Sequence, residues 1–458
     1  MLKLYNSLTR VKDVFQPITA GKVGLYTCGP TVYDYPHIGN MRPYIIWDVL
    51  KRWLGYRGLT VKHIMNITDV GHMTSDSDTG RDKMELASER EHKTGWELAE
   101  FYTQAFEENL AELNIIFPDK FVQATETIDE QIALALKLEA AGYLYQTADG
   151  MYFDTAKFPE YGQLARLNKV ELKEGARVEI NPEKHHPSDF AVWKFSPKGA
   201  KREMEWDSPW GKGFPGWHLE CSAISLANLG ETFDIHAGGI DHLTVHHPNE
   251  MAQSQAVTGK LQAHWWMHGA FLNFGEEKMS KSRGTVVTLD DLKKHAVSPM
   301  AFRFYILQTH YRKTLQFSLQ AVEAAAQGLE NLYKAIAYFD DSGETPEKFV
   351  ESFAADLDND LNTPQALAEV QELISGHLST AEKMAGLAWA DQILGLNFVA
   401  ERTRRRDIPQ VARQMLSERK KARAEGDFAH ADNIRKELDK LGVEVKDTKD
   451  EQIAVLKH

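Results

Sequence analysis

The stretch GLYTCGPTVYDYPHIGN, residues 24–40, contains the end of one strand and the start of one helix. An apolar strand over Val23–Thr27 is ended by Cys28, and a helical apolar pattern follows the stretch. A second apolar strand at Leu59–Met65 completes a predicted βαβ unit. Such units form parallel sheets with right-handed crossovers, and ligands bind at the carboxyl ends of the strands. Cys28 and His37 lie at such an end.

The composition is that of a globular protein of several domains. The chain has 458 residues, 43% hydrophobic and 26% charged, with a net charge of −13. Its start contains no cationic segment leading into an apolar core, and no apolar run approaches the roughly 20 residues that span a bilayer. Two cysteines, Cys28 and Cys221, provide no disulfide framework. We therefore expect a cytoplasmic protein that does not bind membranes. A local basic patch for nucleic acid remains compatible with the acidic total.

An α+β insertion is predicted between two halves of the opening sheet. The pair Thr127 and Glu130 has the spacing of a capping box, and Asp149-Gly150 predicts a hairpin turn. Strand-like pieces return at Thr232–His236 and Ala270–Phe274. We expect both to belong to the second half of the sheet.

Helical periodicity dominates the chain after about residue 286. Within this part, the segment 402–423 contains nine Lys or Arg residues and two acidic ones, a local net charge of +7. Two interpretations are open: a solvated helix face, or a surface for nucleic acid on which Arg404, Arg405 and Arg406 contact the ligand.

Four residues have the chemistry of a metal site. His246 and Glu250 are four apart at the start of a predicted helix, which places both side chains on one face. Together with Cys28 and Cys221 they would complete a tetrahedral Zn²⁺ site. The alternative is two buried cysteines and a surface His–Glu contact. Because no CxxC pair is present, spacing alone leaves both possibilities open.

Two further segments suit phosphate binding. His37 and Gly39 open the first helix, whose N-terminus favours an anion, and glycine allows close approach to the backbone. EEKMSKSRGT, residues 276–285, provides Lys278 and Lys281 in a polar segment able to neutralise developing charge. Taken singly, each is compatible with a helix cap or a polar surface loop.

The two segments together resemble the HIGH and KMSKS signatures of class I aminoacyl-tRNA synthetases. Within that class, the chain resembles the cysteinyl-tRNA synthetase family over nearly its full length. The matching pieces are YTCGPTVYDYPHIGN, NITDVGH, SPWGKGFPGWHLECSA, FDIHAGGIDH, HHPNE, EEKMSKSRGT and DLNTPQAL. The resemblance implies an α/β, Rossmann-like catalytic domain with an α+β insertion, followed by a helical-bundle tRNA-binding region.

The resemblance also implies the site residues. One Zn²⁺ would be held by Cys28, Cys221, His246 and Glu250. The cysteine pocket would contain Gly29, Thr68, Trp217 and His236, with Asp241 and His247 nearby. ATP, with Mg²⁺, would be bound by Pro30, Thr31, His37, Gly39, Asn40, Lys278, Ser280 and Lys281. The catalytic residues among these would be His37, Asn40, Lys278 and Lys281.

The implied reaction joins L-cysteine to tRNA(Cys) through a cysteinyl-adenylate. A pocket that only packs against the side chain discriminates by about 1–3 kcal/mol, so a metal that binds the substrate thiolate would be needed to exclude serine. We expect a monomer. Two alternatives are a mycothiol-type cysteine ligase with an amino-sugar acceptor and a non-catalytic tRNA-binding paralogue.

The expected domains follow the same resemblance. They are the first half of the catalytic domain (1–116), the connective insertion (117–205), the second half with the KMSKS segment (206–285), a stem-contact region (286–325), a helical bundle (326–400) and a C-terminal anticodon-binding region (401–458).

Overall fold

The chain is described by a computed structural model as two compact units. The description covers residues 1–71, 82–166, 181–197, 202–274, 287–340, 343–447 and 452–457, together with the main chain of 277–278. The first unit comprises residues 1–295, 309–317 and 358–361, and the second comprises 296–308, 318–357 and 362–458. Among the helices of these residues, none is long and apolar enough to cross a membrane.

Strands and helices alternate in the first unit, and helices dominate the second. The strands are β1 (Lys3–Asn6), β2 (Val11–Val14), β3 (Lys22–Thr27), β4 (Thr60–Ile67), β5 (Lys120–Gln123), β6 (Leu144–Thr147), β7 (Gly150–Phe153), β8 (Phe190–Phe195), β9 (Gly213–Pro215), β10 (Phe233–Gly239), β11 (Ala263–Gly269), β12 (Leu272–Phe274), β13 (Glu277–Lys278), β14 (Leu315–Phe317), β15 (Val443–Asp447) and β16 (Gln452–Leu456). The helices are α1 (Ile38–Tyr56), α2 (Lys83–Glu91), α3 (Gly95–Glu112), α4 (Ile128–Ala140), α5 (Trp217–Leu229), α6 (His246–Thr258), α7 (Leu289–Lys294), α8 (Pro299–Leu307), α9 (Leu319–Ile336), α10 (Glu347–Asp358), α11 (Thr363–Ser375), α12 (Thr380–Leu394), α13 (Phe398–Arg406), α14 (Gln410–Ala424) and α15 (Phe428–Lys440).

A five-stranded parallel sheet is the core of the first unit. Its strand order is β11-β10-β3-β4-β5. From β3 the chain moves to β4 on one side, whereas from β10 it moves to β11 on the other. Such a reversal opens a crevice at the carboxyl ends of the two central strands. The predicted Rossmann-like fold is therefore confirmed, with Cys28 directly after β3 in this crevice.

Helix α1 begins at the predicted place because His37 caps it. The Nδ1 atom of His37 accepts from the backbone N–H of Asn40 at 3.1 Å, and the Asn40 side chain accepts from the His37 N–H at 3.2 Å. This reciprocal pair satisfies two backbone donors that a helix start otherwise leaves unpaired. Further along the helix, the side chains of Trp47 and Trp53 are buried in the core of the first unit.

The insertion forms a four-stranded antiparallel sheet, β6-β7-β8-β9. The hairpin at Asp149-Gly150 is present between β6 and β7. Strand β5 pairs with β4 in the parallel sheet although it lies within the predicted insertion. The predicted capping box is wrong: the Thr127 hydroxyl donates to the carbonyl of Ala124 at 3.1 Å and accepts from the Gln131 side chain, not from a backbone N–H of the helix.

The strand predicted at Ala270–Phe274 is also wrong in its place. The parallel sheet is completed by β11, whose sequence AHWWMHG shows no polar alternation because both of its faces are buried. Strand β12 instead forms a small separate sheet with β13 and β14.

In the second unit, several arginines of segment 402–423 are internal. Arg405 is 1% exposed, and its guanidinium donates to Glu330 at 2.6 Å and to the carbonyl of Lys457 at 3.0 Å. Arg402 donates to the carbonyl of Phe339, and Arg419 pairs with Asp447. Of the three arginines assigned to nucleic acid, Arg405 is therefore wrongly assigned, because it is paired inside the unit, whereas Arg404 is exposed. Lys420 and Lys421 are exposed.

Candidate functional site

A cavity of about 710 Å³ lies at the carboxyl ends of the parallel strands. Its wall is formed by the turn after β3, the start of α1, helices α2 and α3, and the segments after β10 and β11. The predicted site residues that line it are Cys28, Gly29, Pro30, Thr31, His37, Gly39, Asn40, Trp217, Asp241 and His246. The sheet reversal thus brings residues from both halves of the chain to one cavity.

The four predicted metal ligands meet at the wall of this cavity. One ligand atom from each of Cys28, Cys221, His246 and Glu250 lies within 4.8 Å of the others, and all four side chains are buried. The His246 Nε2 atom is 3.0 Å from Glu250 Oε1, and the Cys28 thiol is 3.8 Å from the same oxygen. Two sulfurs, one imidazole and one carboxylate form a donor set typical of zinc or another soft divalent metal.

The charges in this cluster already favour a cation. Burial acts against ionisation, but His236 and His246 hold the pKa of Glu250 far below its usual range. Burial likewise opposes protonation of His246, yet Glu250 and Cys221 raise its pKa to about 10. The pKa of Cys221 falls to about 7 despite burial, because Cys28 donates to it and His246 is adjacent. His246 is therefore protonated at neutral pH, and its positive charge lies at the position where a bound metal ion would supply one.

A second group of potential ligands overlaps the first. Cys28 and Glu250 also lie within 4.8 Å of ring nitrogens of His236 and His247. His236 Nε2 is 2.8 Å from Glu250 Oε2, and His247 Nε2 is 3.3 Å from the Cys28 sulfur. Neither histidine lines the cavity, whereas His246 does. The geometry suits His236 and His247 to orienting the ligands by hydrogen bonds.

The predicted phosphate-binding residues are only partly described. His37 accepts through Nδ1, so in its neutral form the proton is on Nε2, which can donate to an anion. The backbone of Lys278 lies in β13, opposite Asn273. Ser280 and Lys281 lie outside the described residues.

The predicted cysteine-pocket residues divide into two layers. Gly29 and Trp217 line the cavity, and the Trp217 ring lies 4.7 Å from the ring of His246. Thr68 and His236 lie behind the wall, at 2% and 0% exposure. Thr68 donates to a buried acid, Glu220, at 2.8 Å. Burial raises the pKa of Glu220 to about 8, so it is mostly protonated at neutral pH.

Two residues near the cavity were missed by the sequence reasoning. The Asn66 carboxamide accepts from the Gly29 N–H at 2.8 Å and donates to Thr68 at 3.0 Å, which joins the two layers. A polar residue near the carboxyl end of an apolar strand is the signal that would have indicated it. Lys83 lines the cavity, with its ammonium 5.4 Å from the Trp217 ring centroid.

Comparison with known proteins gives matches over nearly the whole chain. Residues 14–327 match the family model of the class I (C) tRNA synthetase catalytic domain, and residues 405–453 match that of the cysteinyl-tRNA ligase anticodon binding domain. The chain is 46% identical to a cysteine–tRNA ligase 1 of Burkholderia lata, covering 98% of this chain and 96% of the relative. It is 43% identical to a cysteine–tRNA ligase of Novosphingobium aromaticivorans, covering 97% and 95%.

Solved structures show the same fold at low sequence identity. Mycobacterium tuberculosis methionyl-tRNA synthetase, in complex with methionyl-adenylate, superposes with a TM-score of 0.56 at 14% identity. The match covers 83% of this chain and 91% of that one.

Proposed function

Because this chain belongs to the cysteinyl-tRNA ligase family of class I tRNA synthetases, we propose that it joins L-cysteine to tRNA(Cys) with ATP. The observation that carries the proposal is the buried Cys–Cys–His–Glu cluster at the cavity wall. The cluster lies at the carboxyl ends of the parallel strands, where it would bind and select the substrate side chain.

We assign Cys28, Cys221, His246 and Glu250 as the ligands of one Zn²⁺. This group contains both sulfurs, and two of its members, Cys28 and His246, face the cavity. When bound, Zn²⁺ would supply a Lewis acid that prefers a thiolate to a neutral hydroxyl, which separates cysteine from serine. The His218 ring, 2.9 Å from His246 Nδ1, orients the imidazole.

The ATP end of the cavity is formed by the start of α1. The partial positive charge of the helix N-terminus and the Nε2–H of His37 would hold phosphate oxygens. The substrate carboxylate would attack the α-phosphorus, pyrophosphate would leave, and cysteinyl-adenylate would remain. Lys278 and Lys281 are assigned to the charge that develops in this step, and no protein nucleophile is needed.

The acceptor is assigned as tRNA and not an amino-sugar. The match of residues 405–453 to an anticodon binding domain supports this choice, since an amino-sugar has no anticodon. We propose that Lys420 and Lys421, which are exposed cations of α14 within the matched residues, contribute to this contact. Arg405 and Arg419 are internal.

The test is ATP–pyrophosphate exchange and elemental analysis of the purified protein. We expect exchange that depends on cysteine and not on serine, charging of tRNA but not of an amino-sugar, and about one zinc per chain. Cys221→Ser should remove the zinc and the exchange activity. Ser225→Ala, one turn further along α5 and also buried, is the control and should retain both. Absence of zinc from the active wild-type protein would refute the assignment.

A further inference from the structure

A buried guanidinium lies one turn into α1, the helix that the HIGH-like segment His37–Asn40 opens. Arg42 of α1 is 1% exposed. Its side chain donates to the carbonyls of Ala270 at 2.9 Å and Lys313 at 2.5 Å, and it also contacts the carbonyls of Phe271 and His310. The Arg42 guanidinium therefore connects three parts of the first unit: α1, the segment before β12 and the segment before β14.

The two segments that Arg42 binds lead into the small sheet β13-β12-β14. Strand β13 contains Lys278, the first lysine of the KMSKS-like segment. Strand β12 follows Phe271 directly and pairs with β14 on one side. On its other side it pairs with β13, where Asn273 lies opposite Lys278. The position of the Lys278 backbone relative to α1 thus depends on the carbonyls that Arg42 binds.

A second bond joins α1 to the chain after the KMSKS segment. The backbone N–H of Ile38, the first residue of α1, donates to the carbonyl of Val287 at 2.8 Å. The first turns of α1 therefore bind the chain both before and after the lysine signature.

The segment from His310 to Lys313 is held from its other side by Asp360. Asp360 is 1% exposed and accepts from Arg312 Nε and from the Tyr311 hydroxyl, each at 2.7 Å. Its backbone has a φ of 67°, a conformation that is costly for a residue with a side chain. Such strain persists where the surrounding contacts over-determine the position.

We infer that Arg42 is a positioning residue for adenylate formation, an inference that rests on the proposed function. It fixes the position of the strand that contains Lys278 relative to the helix that His37 and Asn40 open. The guanidinium is buried against backbone carbonyls, so it acts through these elements and not on the substrate. Lysine could not replace it, because an ammonium is a compact charge without the planar fork that reaches two segments.

The test compares Arg42→Lys with a matched substitution on the same helix. Arg52 also lies on α1, but it pairs with Asp48 at 2.8 Å and donates to the carbonyl of Asn114 at 2.6 Å, and neither partner belongs to the segments before β12 and β14. In single-turnover measurements we expect Arg42→Lys to form adenylate about 100-fold more slowly, the typical effect of a misplacement of about 1 Å. Zinc content and the cysteine Kd should stay near wild-type values. Arg52→Lys should retain the rate within about threefold.

Equal adenylation rates in the two variants would overturn the inference. If Arg42→Lys does not fold, Asp360→Asn carries the test, since it loosens the same segment from its other side. A slower adenylation step with unchanged zinc content would support the inference, and a wild-type rate would overturn it. Failure of the proposed function is distinguishable, because the wild-type protein would then show no cysteine-dependent exchange.

Discussion

Replacing Gly29 by alanine should displace the backbone at the end of the cavity where the predicted metal ligands lie. Gly29 directly follows Cys28, and its N–H donates to the Asn66 side chain. A Cβ atom at this position would lie 1.7 Å from the backbone oxygen of Asn66 and 2.8 Å from its carbonyl carbon. Real Cβ contacts essentially never fall below 3.0 Å, so the two segments must separate by at least 3.0 − 1.7 = 1.3 Å. Neither is a flexible side-chain end that could rotate away.

A displacement of this size should reduce both the activity and the stability of the protein. We expect kcat/KM for cysteine in ATP–pyrophosphate exchange to fall about 100-fold, or about 2.8 kcal/mol of transition-state stabilisation. Overpacking should lower the unfolding free energy by about 1–3 kcal/mol.

The control is Gly55→Ala in the last turn of α1. An added Cβ there has no heavy atom within 4 Å, and alanine favours helix over glycine by about 1 kcal/mol. This variant should be fully active and as stable as the wild type or more so. A Gly29→Ala enzyme with wild-type kcat/KM would show that the close approach of the two segments has no bearing on the cysteine end of the cavity.

Three further predictions concern charge. Burial, opposed by hydrogen bonds from Thr125, raises the pKa of Asp69 to about 6, so the folded chain keeps a proton that the unfolded chain loses above about pH 4. Asp69 should therefore lower wild-type stability between about pH 4 and pH 6, by at most about 3 kcal/mol, and Asp69→Asn should reduce the slope of urea midpoints against pH in that range. Arg405→Gln should lower the melting temperature because it leaves buried partners unpaired. The double change of Lys420 and Lys421 to Gln should leave stability unchanged but weaken tRNA binding and reduce its log–log salt slope by roughly 0.7–0.9 per lost phosphate contact; an unchanged slope would remove these lysines from the interface.

Local patterns predicted the elements that position the candidate site. The strand before Cys28 and the helix after it were visible because an apolar run and a helical period are properties of neighbouring residues. The spacing of His246 and Glu250 was equally informative, since a helix places residues four apart on one face. The resemblance to a family then connected these pieces to Cys28 and Cys221, which are 193 residues apart in the chain.

Properties that depend on which of several available partners a group takes were not visible in the same way. Thr127 has the spacing of a helix cap, yet its hydroxyl donates to a nearby carbonyl. The apolar run before Phe274 is divided between two sheets, because strand pairing and not hydrophobicity decides which sheet a strand joins.

The sequence by itself determined the opening βαβ unit, the helical character of the chain after about residue 286 and the residue types available for metal and phosphate binding, and its family resemblance implied the class I fold. Only the tertiary structure decided which of these residues meet. It placed His236 and His247 against two of the predicted metal ligands, and it joined Arg42 of α1 to the segment before β12. It also turned Arg405 inward, where Glu330 compensates its charge. The physical reason is that a charge pattern records residue types, whereas burial and pairing depend on which distant segment packs against each side chain.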